Sequence, residues 1–270
     1  VNHQVFKDVE LLQHNIECVT RHIREKLEKA HETDIDRKVL RFVPTAEGKT
    51  YYFDGERYWR VCVFIPESQT LEAVTPESSY LVGVKFGEFE AMLADLPEKL
   101  GETIPDFHNM EFRMQQLREA VAQNAAGRME KVQSLVDDIE KDAEEMCAAE
   151  RLYREGKLPK RICHCDTKVS NMLFDKDGNV LCVIDLDTTM PSFVFSDFGD
   201  FLRNAGLTGL VINELQLFDE LLGVVRSGLH GHHAGALFRS HIFCNCLVNQ
   251  SFDVTLQKRV ENGFGVGLVE

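Results

Sequence analysis

Between residues 6 and 29 the chain sets Leu12, Ile16, Val19, Ile23 and Leu27 three or four positions apart among charged residues. That period puts one apolar stripe on a helix and predicts a surface helix over residues 6–29 with a single buried face. The pattern then changes, with TYYF and RYWRVCVFI flanking Asp54-Gly55. This turn dipeptide between β-prone runs predicts two antiparallel strands between residues 50 and 66. Pro66, Glu67 and Ser68 break the second run, and Pro76 opens another helical stretch, expected over residues 78–96. From about residue 111 to 155 breakers are scarce and charges frequent, which predicts two or more helices. The acidic run at 136–145 reads as their solvated face. Pro159 ends that stretch, and NMLF and NVLCVID around Asp175-Lys176-Asp177-Gly178 predict a second hairpin.

Helices and hairpins in this order predict an α+β fold, either one large domain or a small lobe packed on a larger one. The 270 residues suffice for a sizeable core. Forty-four acidic residues against 30 basic ones, a net charge of -14, argue against a nucleic-acid or anionic-membrane partner. An anionic ligand would need local help from a cation or backbone N–H groups. Eight cysteines without a C-x-x-C pair fit a reducing, cytoplasmic setting. The sequence shows no apolar run of about 20 residues and no charged-then-apolar leader.

The chemistry concentrates in His164-Cys165-Asp166-Thr167-Lys168-Val169-Ser170-Asn171, followed across the second hairpin by Ile184-Asp185-Leu186-Asp187. Phosphoryl transfer needs an aligned acceptor hydroxyl and neutralised phosphate charge more than covalent help. Asp166 at a loop apex can accept the hydroxyl proton. Asn171 and Asp185 supply the hard oxygen donors that magnesium favours. Asp187 is either a further metal contact or a structural hydrogen-bond partner.

H-x-D-x-x-x-x-N followed by I-D-x-D resembles the aminoglycoside phosphotransferase and choline kinase superfamily, and HCDTKVSN, IDLDTTMP and SDFGDFLR resemble its N-acetylhexosamine 1-kinases most. The resemblance implies a protein-kinase-like two-lobe fold, with residues 1–66 as a small strand-containing lobe and 67–270 as a larger helical one, and transfer of the ATP γ-phosphate to the anomeric hydroxyl of a small amino sugar. It implies Asp166 as catalytic base, Lys168 near the transferred phosphate, and Asn171 and Asp185 as magnesium ligands. It makes residues 65–68 a hinge at which Ile65 and Glu67 hold adenine. Phe107 and His108, in IPDFHN, become candidate acceptor contacts, as does Arg203. Glu17 would face a phosphate-binding lysine, which with a glycine-rich loop is expected upstream of Val1.

Asp197-Phe198-Gly199 imitates a metal-binding motif, but Asp185 directly follows the hairpin and is the better carboxylate. Asp197 and Asp200 are expected to brace the catalytic loop from a helix start. Strand alternation sends Cys163, His164 and Cys165 to different faces, against a metal site and in favour of His164 orienting the loop. His230, His232, His233, His241, Cys244 and Cys246 match no zinc spacing. Aminoglycoside, choline and homoserine acceptors are the rivals within the enzyme class, and a non-catalytic, pseudokinase-like binding protein is the rival outside it.

Overall fold

Asp8 starts the first helix. Its carboxylate accepts the Leu11 N–H at 2.9 Å and caps α1 (Val9–Lys29), three residues later than the apolar period alone places it. The structure, a computed structural model, describes residues 1–207, with side chains through residue 204. The histidine and cysteine cluster at 230–246 lies outside the described residues. Leu12, Ile16, Val19 and Ile23 are buried along α1, as their spacing predicts.

The first hairpin forms, but it is shorter than its apolar runs. β1 (Tyr52–Phe53) pairs antiparallel with β2 (Tyr58–Trp59), joined by residues 54–57. The Asp54 carboxylate holds that loop by accepting from the Glu56 and Arg57 N–H groups and from Trp59 Nε1. The rest of the second run turns to a different partner: Val43 N donates to Val61 O and Val63 N to Arg41 O, each at 2.8 Å. Tyr52, Phe53 and Trp59 stay exposed.

Beyond residue 66 the chain crosses to the second hairpin, where Gln69 and Phe174 exchange backbone hydrogen bonds of 2.9 and 2.8 Å. Thr75 and Ser78 then form a reciprocal cap on α2 (Pro76–Leu93). The helix buries Val82, Phe86, Phe89 and Leu93, four, three and four positions apart, and ends three residues before the expected position 96. α3 (Met110–Gln123), α4 (Met129–Met146) and α5 (Ala148–Arg154) fill the expected helical region. Met110 and Met114 pack on Ile139, Ala143 and Met146, and the acidic positions 137, 138, 144 and 145 face solvent.

Two antiparallel ribbons carry the sequence of interest. β3 (Arg161–Cys163) pairs with β6 (Met190–Ser192), and β4 (Met172–Phe174) pairs with β5 (Val180–Val183). Asp175 closes the second ribbon by accepting from the Asp177 and Asn179 N–H groups at 2.9 and 2.8 Å, with Gly178 at φ +83°. α6 (Val194–Leu207) follows β6. Residues of α1, α2, β4 and β5 share one apolar core, in which Leu12, Ile16 and Val19 join Phe86, Phe89, Met172 and Phe174. The expected α+β architecture is present, and among the described residues no helix is long and apolar enough to cross a membrane.

Candidate active site

The β3 strand ends at Cys163, and the chain leaves it through a buried turn. Cys165 sits at φ +64°, a left-handed conformation that costs a non-glycine residue about 1–3 kcal/mol and persists only where the surroundings impose it. The surroundings are hydrogen bonds from α6. Asp197, 3% exposed, accepts the His164 N–H at 2.7 Å and the Cys165 N–H at 2.8 Å. Asp200, 2% exposed, accepts the Thr167 N–H at 2.7 Å, and the Thr167 hydroxyl donates to the Asp197 carbonyl. The bracing expected of Asp197 and Asp200 is therefore direct. His164 adds a bond from its Nε2 to the Ile184 carbonyl, 2.9 Å, and packs edge-on against Phe86 and Phe89. It ties the loop to the strand that delivers Asp185. Cys163 and Cys165 pack instead with Met190, so the three neighbours do separate onto different faces.

Asp166, Lys168 and Asn171 meet at the apex. Asp166 Oδ2 accepts from Lys168 Nζ at 2.8 Å and from Asn171 Nδ2 at 3.0 Å, and the same amide donates to the Asp166 carbonyl at 2.9 Å. Among the described residues no donor reaches Oδ1, which leaves one carboxylate oxygen for a ligand. Burial pulls the Lys168 ammonium down, but the charges of Asp166, Asp185 and Asp200 outweigh it and leave its pKa raised. Lys168 is thus a cation at neutral pH.

Asp185 also has a left-handed backbone, φ +58°. Its carboxyl is raised above the ordinary range, first by the protein packed around it and then by the negative charges of Asp187 and Asp166, with Lys168 opposing. Asp185 thus feels the charge of both Asp166 and Asp187, while the Asn171 amide N–H is bonded to Asp166. Asp187 is held from the other side by Arg60, at 2.5 Å.

The remaining expected site residues lie elsewhere. Ile65 is buried, its carbonyl accepts the Ser68 hydroxyl at 2.7 Å, and the Pro66 and Glu67 carbonyls accept from Arg37 at 3.2 and 3.0 Å. Phe107 packs on the Cys163, Cys165 and Met190 cluster, stacked with His108. Both line a cleft with Glu150, Lys160 and Phe193, and none of Asp166, Lys168, Asn171 and Asp185 lines it. Arg203, expected at the acceptor, is 8% exposed in its side chain and ion-paired to Asp200 at 2.7 Å. Burial of Asp200 draws that cation inward. Glu17 accepts the Thr50 hydroxyl.

Several supporting residues carry no local signal in the sequence. Arg60 reaches Asp187 across 127 positions, and Thr188 donates its hydroxyl to the His164 carbonyl at 2.8 Å. Asn15 of α1 donates to the carbonyls of Gly101 and Thr189 at 2.8 and 3.0 Å. Only Thr188 could be suspected, from its place beside IDLD.

A braced aspartate loop followed by a strand-borne carboxylate is the arrangement of a kinase-like phosphotransferase. The family described as "phosphotransferase enzyme family" matches residues 26–226, and the chain belongs to it. Among solved structures, the amicoumacin kinase hAmiN in complex with AMP-PNP, Ca2+ and Ami is similar at 15% identity and TM-score 0.50, over 87% of this chain and 70% of that one. An aminoglycoside phosphotransferase from Streptomyces rimosus in complex with ADP and streptomycin matches at 14% identity and TM-score 0.48, over 85% and 82%. The choline kinase LicA from Streptococcus pneumoniae matches at 14% and 0.47, over 93% and 78%. The kinase-like fold expected from the sequence is present.

Proposed function

We propose that this phosphotransferase moves the γ-phosphate of ATP to a small-molecule hydroxyl, and that the acceptor is the anomeric hydroxyl of an N-acetylhexosamine. The observation that carries the transfer reaction is Asp166 Oδ2 held by Lys168 and Asn171 on a braced turn, with no donor on Oδ1 among the described residues. In this reading the acceptor oxygen forms a bond to the γ-phosphorus, the bond to the β–γ bridging oxygen breaks, ADP leaves, and the acceptor proton passes to Asp166. Asn171 and Asp185 would hold magnesium, which neutralises phosphate charge. Lys168 keeps Asp166 oriented and offers positive charge to the phosphate. The sugar preference rests on the motif resemblance around residues 164–203.

The division into a small lobe over 1–66 and a helical part over 67–270 belongs to the same proposal, as do adenine binding at Ile65 and Glu67 and a cytoplasmic setting. Phe107, His108 and Arg203 belong to it as acceptor contacts, with Phe107 and His108 lining a cleft of their own and Arg203 paired to Asp200. One observation favours the non-catalytic rival: Arg37 and Ser68 occupy the hinge carbonyls at 65–67.

The test is ADP release by the full-length protein with ATP and magnesium, offered N-acetylglucosamine, N-acetylgalactosamine, streptomycin, choline or homoserine. Release stimulated by the amino sugars, with a sugar 1-phosphate seen by phosphorus NMR, is the expected result. Release with another acceptor only would overturn the sugar assignment. Failure to bind nucleotide at all would favour the binding protein.

A further inference from the structure

The Asp197 brace has a second neighbour. α2 packs against both β3 and α6, and beside its buried Phe89 it carries a carboxyl group, Glu90, into that contact. The ligating atoms of Glu90, Cys163 and Asp197 all lie within 4.8 Å of one another. Asp197 is almost wholly buried and already accepts two backbone N–H groups of the catalytic loop. Two ionised carboxylates at this range in a low-dielectric interior repel strongly, so the pair is stable only with a proton or a cation between them. Backbone donors reward negative charge on Asp197, which leaves Glu90 as the place for a proton.

We infer that Glu90 is a positioning residue: it keeps a proton, donates it in a hydrogen bond to Asp197, and so holds the Asp197 carboxylate on the amides that shape the turn before Asp166. The inference rests on that turn being the catalytic loop of the proposed reaction. Burial first, then the charge and hydrogen bond of Asp197, push the Glu90 carboxyl up to about 9. Asp197 is raised less, to about 6, because burial is offset by His164 and by the two backbone donors. The titratable groups facing the pair are Cys163, His164 and Cys165 on the β3 side, with Asp200 further along α6 acting on Cys165. Burial holds the Cys163 thiol well above its ordinary value, so it is protonated and a poor third ligand for a cation.

The sign of the pH dependence follows. Below its ordinary value of 4.5 Glu90 is protonated folded or unfolded, and its contribution to stability is complete. Between that value and about 9 the unfolded chain sheds a proton that the folded chain still binds, so stability falls as pH rises. Glutamine at this position keeps the hydrogen-bond donor and has no proton to lose.

Thermal unfolding of the full-length protein and its Glu90→Gln variant, from about pH 5 to about pH 10, tests this together with amide exchange at His164 and Cys165. The melting temperatures should separate as pH rises, with the variant ahead on the alkaline side. Protection of the two loop amides should fall with rising pH, by up to about tenfold per pH unit, between 4.5 and about 9 in wild type, level off above that, and stay level in the variant. Parallel melting curves would overturn the inference. If the variant does not fold, carbon-13 NMR of the wild-type glutamate carboxyls decides: one midpoint near 9 supports the shared proton, and its absence refutes it. Stoichiometric zinc binding lost in Cys163→Ser would overturn it in favour of a metal site. None of these readouts needs an acceptor, so a negative kinase assay and a failure of this inference are told apart.

Discussion

As the proposed base, Asp166 faces two demands. It must be held still, and it must keep a lone pair for the hydroxyl it would deprotonate. Lys168 and Asn171 both bond to Oδ2, which meets the first demand without using the second oxygen. Local spacing makes these three residues legible in the sequence, since they lie within six positions and the apex geometry follows from the turn. Asp185 is legible because a hairpin of predictable length returns it. Arg60 and Asn15 are not, because their partners lie 127 and 174 positions away and no pattern encodes such a pairing. Arg203, proposed at the acceptor, is buried in an ion pair with Asp200 that its motif position does not announce. Removing its partner tests that pair. Asp200→Ala strands the buried Arg203 guanidinium and the Thr167 N–H, and should cost about 3–5 kcal/mol in chemical denaturation. A loss under about 1 kcal/mol would mean that the pair is solvated and the brace weak.

At the scale of elements, apolar period and breaker residues predicted α1, α2, the helical region before Pro159 and both hairpins. They did not predict where the first hairpin stops. Its second run continues past Trp59 but pairs with residues 41–43, a choice set by tertiary packing that β-propensity cannot express. Element boundaries also moved where side-chain caps decide them, as Asp8 does for α1. One helix contact matters for the site. Asn15 fixes α1 to the Gly101 carbonyl and to the Thr189 carbonyl just beyond the Asp185–Asp187 turn, and also accepts the Gly101 N–H at 3.3 Å. Asn15→Ala leaves these buried groups unsatisfied and should destabilise the protein by about 1–3 kcal/mol in urea unfolding, with an unchanged m-value. An unaffected midpoint would show that water replaces the amide.

Across the whole molecule, an overall charge of -14 is an unfavourable background for a triphosphate, and the proposed site answers it locally with Lys168 and a cation-binding donor set. The mixed order of helices and hairpins makes the α+β class legible, and the loop motif makes the kinase-like fold legible, because both are written in short segments. The acceptor is written in longer-range shape and was not. The low-charge stretch from 227 to 257, with only Arg239 and Asp253 charged, lies outside the described residues. The central claim is that Asp166 acts on the acceptor proton in the transition state. Turnover and nucleotide affinity of Asp166→Asn, measured side by side with an acceptor found active for wild type, test it most directly. The account predicts a fall in kcat of about 100- to 10,000-fold with the Kd for ATP and magnesium within about twofold of wild type. Wild-type kcat in the variant would contradict it.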